Sequence, residues 1–183
     1  MLPSAGKLAG LMDDHRAAAD EFFHRAAQVT SARWDAPRAD GKWTPAEEVM
    51  HVVLAYETFT GELAGGGGVR LVGTPLKRLF WRAVGLTSVL LLRKLPRGAR
   101  SPREIRPPPG PHDQAELLAH LREATTKFEE MFRSTWERAP RRTVNHPYFG
   151  ALDLEDSIRT VTVHTRHHAA VLPPPGARQQ VGA

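Results

Sequence analysis

The chain has 183 residues, 41% of them hydrophobic, and a formal net charge of +5, which suits one domain with a real buried core. It contains no cysteine; that excludes disulfides, cysteine-type zinc sites and an internal thiol nucleophile, and leaves His and carboxylate as metal ligands. The N-terminal stretch MLPSAGKLAGLM lacks the apolar run of a secretory signal, and the longest uncharged apolar run, residues 83–92, is too short to span a bilayer, so a cytoplasmic protein with no membrane span is expected.

In chain order, residues 4–30 read as a first helix. Leu8, Leu11, Met12, His15, Ala19, Phe22, Ala26 and Val29 keep helical spacing, while Asp13, Asp14, Arg16 and Arg25 fall mostly off that stripe. A turn-rich connection, broken by Pro37 and Gly41, follows. The clearest helix start is Trp43-Thr44-Pro45-Ala46-Glu47. Thr44 can cap, Pro45 takes the first helical position, and Glu47 closes a T-x-x-E capping box. This second helix runs to about Ala64 along a seam of Val49, Val52, Tyr56, Phe59 and Leu63, with His51 one residue off it. The glycines at 65–68 end it.

Residues 74–95 read as a further helical stretch, apolar at Leu76, Leu79, Phe80, Val84, Val89, Leu92 and Leu95, with Gly85 as a candidate break. The proline-rich residues 96–111 read as a loop without regular structure. Residues 113–138 form the third core helix, with Leu117, Leu121, Thr125, Phe128, Phe132 and Trp136 on one side; His120 and Glu129 read as solvated. After a turn, APRRTVNHPYFG, comes the last helix. Asp153 is its N-cap, Glu155 and Asp156 meet the positive end of its dipole, and Pro173 to Pro175 stop it. Leu154, Ile158, Val161, Thr165, His168 and Leu172 share its inward stripe. No strand with period-two alternation and no repeat stands out, and the tail, residues 173–183, is expected to be disordered. Four or five long helices with one apolar stripe each predict an all-α antiparallel four-helix bundle.

His164 and His168 lie i, i+4 on or beside that inward stripe, so their rings stack one above the other within reach of one ion. Thr165 stands beside the first of them, so this is not the H-E-x-x-H helix of zinc proteases. Between residues 69 and 106, ten basic residues face Glu104 alone, in a chain whose total is only +5. This segment is read first as a solvated amphipathic cover over one end of the bundle. Steering of an anionic substrate or thiol comes next, ahead of a nucleic-acid or membrane surface, for which only Phe80 and Trp81 supply aromatics.

Three stretches carry a resemblance: W-T-P-A-E-E-V-M-H at 43–51, N-H-P-Y-F-G-A-L at 145–152 and H-T-R-H-H at 164–168. On them the sequence resembles the DinB/YfiT-like family of metal-binding four-helix bundles, the DinB superfamily. The resemblance implies an up-down-down-up bundle over residues 1–172, with an extra helical and loop insertion at about 69–111. It also implies a divalent metal held by His51, His164 and His168. In relatives a polar residue, often Gln, follows the H-x-x-x-H; this chain has Ala170 and Val171 there. Three neutral imidazoles leave coordination positions open, as in catalytic sites, and suit zinc, nickel or iron. Relatives that are thiol-dependent S-transferases and isomerases imply that an external thiol, or water in a hydrolase, attacks a small-molecule substrate.

Glu48, one turn before His51, and Glu57 beyond it are candidates to support the ligands. His146 and Tyr148 either contact a substrate or pack the turn with Pro147 and Gly150. His167 points about 100° away from His168 and is left out of the ligand set. No nucleic-acid partner is expected, and a homodimer is. The alternatives are core histidines satisfied by backbone or carboxylate partners, and a non-catalytic metal-binding or dimeric interaction module.

Overall fold

The computed structural model describes residues 5–66, 70–95 and 101–174. The expected helix start at Ser4, parts of the glycine run and the proline-rich loop, and most of the expected disordered tail lie outside them. In chain order the elements are α1 (Ala5–Ala27), α2 (Ser31–Trp34), α3 (Pro45–Ala64), α4 (Pro75–Phe80), a π-helical segment (Trp81–Leu86), α5 (Thr87–Leu92), a 3-10 turn (Arg103–Ile105), α6 (Gln114–Arg138), β1 (Val144–His146), β2 (Gly150–Leu152) and α7 (Leu154–Val171). Helices α1, α3, α6 and α7 build a four-helix bundle, as expected.

The helix starts follow the local chemistry. Thr44 accepts from the Glu47 amide while Glu47 reaches back to the Thr44 amide, so the capping box is closed in both directions. Asp153 caps α7 by accepting from the Asp156 amide at 2.8 Å, and Asp113 caps α6. α3 ends on Gly65, whose φ of 98° is a left-handed cap that costs glycine nothing.

Specific bonds fix the directions of the helices. Lys7 pairs with Glu155 near the starts of α1 and α7, and Arg25 bonds the Ala169 carbonyl near their ends, so these two run parallel. Gln114, first in α6, donates to the Ala26 and Val29 carbonyls at the far end of α1, so α6 runs opposite to it. Glu48, early in α3, meets His168, late in α7, so these two are antiparallel as well. The order is therefore up-down-down-up. Parallel α3 and α6 need a return path along the bundle, and the elements between Pro75 and Leu92 and at Arg103–Ile105 fall in the connection between them.

The core is formed by the expected stripes: Met12, Phe22, Val49, Val52, Phe128, Phe132 and Ile158 are all essentially fully buried. One polar chain crosses it. Thr165 donates to the Val161 carbonyl, the Tyr56 hydroxyl lies 2.9 Å from Thr165 Oγ1, and His15 Nε2 lies 3.0 Å from the same hydroxyl. Burial pushes the Tyr56 phenol well above its ordinary value. Glu129, expected to be solvated, has only 19% of its side chain exposed; it pairs with Arg16 at 2.8 Å and approaches His15 Nδ1 at 3.4 Å.

Three parts of the architecture differ from the sequence reading. Residues 139–152, read as a turn, contain an antiparallel hairpin with Val144 opposite Leu152 and His146 opposite Gly150. Its strands are three residues each, too short to show alternation. The proline-rich loop contains the 3-10 turn at Arg103–Ile105. Gly85 does not break its helix: a Cβ there would come within 2.9 Å of Phe149 Cε1 and 3.1 Å of Trp81 Cε3, so glycine lets the π-helical turn close onto the hairpin. That contact belongs to a second small core of Leu86, Val89, Phe149, Leu152 and Val163. Among the described residues no helix is long and apolar enough to cross a membrane.

Asp14 joins three elements, accepting from Arg166 on α7 at 2.7 Å and from Arg93, just past α5, at 3.2 Å. The Arg166 hydrogen bond is the main cause that holds the Asp14 carboxyl below its ordinary value of 3.8. A depressed carboxyl adds stability that is fully present above the unfolded-state pKa and is lost as the pH falls through the folded-state value. The Asp14→Asn variant is therefore expected to lose stability at neutral pH but to show a flatter acid limb below about pH 4, read as the urea midpoint against pH. An acid limb unchanged by the substitution would contradict this role.

Candidate metal centre

His51 projects from the second turn of α3, and His164 and His168 from the C-terminal half of α7; the three converge near one end of the bundle. One ligand nitrogen from each ring can be chosen so that all lie within 4.8 Å of one another. His51 Nε2 and His164 Nε2 are 3.0 Å apart. Bonds of about 2.0–2.1 Å at angles of about 90–110° would place two ligands of one ion about 3–3.4 Å apart, so the rings have the separation a shared cation requires.

Two of the other ring nitrogens are already committed. His51 Nδ1 donates to the Ile105 carbonyl at 2.6 Å, and His168 Nδ1 donates to Glu48 Oε2 at 2.6 Å. With a proton on each Nδ1, both rings turn an Nε2 lone pair inward. This is how carbonyl and carboxylate partners orient metal-binding imidazoles. Trp43 packs against the His51 ring at 4.8 Å between centroids and limits its rotation.

Burial lowers the His51 imidazole below its ordinary value, and burial followed by the neighbouring imidazoles takes His164 and His168 well below theirs. All three are thus neutral near pH 7, the form that binds metal. Burial also raises the Glu48 carboxyl, opposed chiefly by His51. The donor set, three neutral nitrogens with two anchored from behind, fits a divalent transition-metal ion.

The three rings open into a cavity of about 500 Å³. Trp43, Phe59, Trp81, Tyr148 and Phe149 form much of its wall, and Lys42 stands at its edge. His146 also lines it, stacked on Phe149 at 4.2 Å with the rings 11° from parallel. Its Nδ1 accepts from the Tyr148 and Phe149 amides, both at 3.3 Å, so its proton sits on Nε2. Burial holds this imidazole neutral down to about pH 3.

The residues singled out from sequence therefore divide. His51, His164 and His168 come together, and His146 and Tyr148 share their cavity. Glu48 reaches His168 on the facing helix, not His51 one turn along its own. Glu57 stands on the exposed side of α3, where it meets His120 Nε2 at 2.8 Å; it touches neither the rings nor the cavity and does not support the ligands. His167 lines the cavity but lies outside the group of three. The Ile105 carbonyl was missed, and a loop carbonyl carries no sequence signal. Trp43 reads from sequence as part of a helix start and of the 43–51 stretch, not as a wall of the site.

A four-helix bundle with an open three-histidine site at one end is the class these observations define. A sequence profile of the DinB superfamily matches residues 14–172; the chain belongs to the DinB superfamily. Its fold is similar to a protein from Bacillus subtilis, YfiT, described as a probable metal-dependent hydrolase with an unusual four-helix bundle topology. The two share 16% identity over 93% of this chain and 86% of that one, with a TM-score of 0.56. No curated protein sequence matches the chain.

Proposed function

We propose that the protein is a metal-dependent enzyme. His51, His164 and His168 hold a divalent ion, and an external nucleophile, water or a low-molecular-weight thiol, attacks a small, largely apolar substrate in the adjoining cavity. The observation that carries this reading is the tripod's position in the wall of a cavity lined by five aromatic residues. A structural ion would be closed in by four protein ligands, whereas three ligands beside a cavity leave room for a reactant. The chain has no cysteine, so a thiol nucleophile has to come from outside.

A bound ion would lower the pKa of such a nucleophile and stabilise negative charge on the substrate. The chain's own residues do the rest. Glu48 and Ile105 hold two ligand rings in one tautomer. The aromatic wall excludes water and packs flat apolar groups. His146 offers the cavity wall a neutral Nε2–H that stays protonated over the working pH range, suited to bonding a substrate carbonyl or other acceptor. The description of the Bacillus subtilis bundle as a probable metal-dependent hydrolase supports the hydrolytic form of this chemistry; the absence of an internal thiol is compatible with either form.

The test is metal-free protein reconstituted separately with zinc, nickel and iron, then assayed on aryl esters and amides in water and on aromatic electrophiles with small thiols. Turnover that appears only with metal, and is halved or more by a bulky substitution in the wall such as Ala55→Trp, is the expected result. Stoichiometric metal without turnover in either series would favour the non-catalytic module. Failure to take up any of the three ions would refute the site itself.

A further inference from the structure

Every large hydrophobic side chain that stands exposed among the described residues falls between residues 71 and 92. Leu76 is 77% exposed, Leu91 75% and Phe80 59%, and Leu79 and Val84 are also exposed. Leu76, Phe80 and Val84 follow one another at four-residue steps and so form an outward stripe along the helical segment from Pro75 to Leu92. The opposite side of the same segment is already occupied: Gly85, Leu86 and Val89 are buried against the hairpin and α7. This differs from the solvated cover expected from sequence. The helix is apolar on both faces and, among the described residues, only one face has a partner, a condition that calls for a second apolar environment.

The charge around the stripe indicates which one. Residues 70–95 contain six basic side chains and no acidic one, and Lys77, Arg82, Arg93 and Lys94 are exposed. Arg82 and Arg93 are engaged within the chain, by the Phe149 and Ala151 carbonyls and by Asp14, but the long stems of Lys77 and Lys94 can lie along apolar material while their ammonium groups reach outward to anions. A second copy of the chain is a poor occupant, because two-fold pairing of this face would bring the same cations together with no carboxylate between them. An anionic phospholipid surface satisfies both features, with the stripe among the upper acyl chains and the cations among the phosphates. At about 1.5 Å per residue the segment is roughly 27 Å long, and it belongs to a helix lying along the surface, since none crosses a membrane among the described residues.

We infer that the exposed stripe of Leu76, Leu79, Phe80, Val84 and Leu91 docks the protein peripherally on anionic membranes. The test is flotation of the intact, metal-loaded protein with vesicles of phosphatidylcholine mixed with phosphatidylglycerol, compared with vesicles of phosphatidylcholine alone. The native protein floats with the mixed vesicles, less so as salt is raised from about 0.1 M to about 1 M. The triple variant Leu76→Ser, Phe80→Ser, Leu91→Ser loses about tenfold or more of the partitioning, and the variant Lys77→Glu, Lys94→Glu loses binding to the mixed vesicles selectively. Both variants keep the native circular dichroism and metal content, because every changed side chain is exposed and outside the metal centre; the docking thus stands or falls independently of the catalytic reading.

No partitioning of the native protein, equal partitioning onto uncharged vesicles, or a triple variant that floats like the native protein would each overturn the inference. So would a native dimer that the triple variant disperses in sedimentation velocity without any vesicle binding, since the stripe would then be an interface between copies.

Discussion

His164→Ala is expected to leave the protein folded but unable to hold a stoichiometric metal ion. The His164 ring lines the cavity and is only partly buried, so removing it opens no void in the packed core and unfolding of the metal-free protein should change little. The effect on the ion is large. Zinc sites with a full ligand set bind with about 10–16 kcal/mol near neutral pH. An even share per ligand is roughly 3–4 kcal/mol, so affinity should fall by about 10²–10³-fold. Elemental analysis of variant and parent, reconstituted side by side, reads this directly. Glu48→Gln supplies the graded control: its amide can still accept from His168 Nδ1 but lacks the charge that strengthens that bond, and loss of such partners costs about 10–100-fold in affinity. Full metal occupancy in His164→Ala, with the same affinity as the parent, would remove this histidine from the site.

Phe128→Ala is expected to be the costliest single change in the core. Phe128 is 1% exposed on α6 and meets three other rings, His15 at 5.1 Å, Tyr56 at 5.4 Å and Phe132 at 5.9 Å between centroids. Truncating such a residue costs about 3–5 kcal/mol through lost transfer energy and the cavity left behind, out of a total stability of about 5–15 kcal/mol. For a chain of this size each kcal/mol lowers Tm by about 2–4 °C, so a drop of roughly 6–20 °C should appear in thermal unfolding. The position sharpens the effect, because the void would lie against His15 and Tyr56, whose bond crosses the core at 3.0 Å, and water entering there would compete for both. A loss of less than about 1 kcal/mol would mean that the neighbouring rings collapse to fill the space.

Both predictions depend on features that were legible to different degrees in the residues alone. The helix starts at Thr44 and Asp153 were readable because capping is settled within three or four residues, independent of the rest of the fold. The inward stripes were readable for the same reason, and they were enough to indicate an all-helical bundle and to put His168 on a buried face. The i, i+4 spacing of His164 and His168 was equally local. Their joining with His51 was not: it came from the family resemblance, and across 113 residues only the antiparallel contact of α3 with α7 brings the rings to 3.0 Å.

What supports those rings lay beyond sequence reading altogether. Glu48 was picked out for its position on the helix of His51, yet its bond is to His168, 120 residues away, while Glu57 turned outward to His120. Which carboxylate faces the site depends on the rotation of α3 against its neighbours, to which local spacing is blind. His51 is held by a carbonyl from a proline-rich loop that offered no pattern at all, 54 residues along the chain. Gly85, which propensity marks as a helix breaker, instead admits the ring of Phe149 and so seats the hairpin that carries His146. And that the helix from Pro75 to Leu92 would keep one apolar face outside was undecidable from its composition, because apolar residues all around a helix do not say which of them will find a partner.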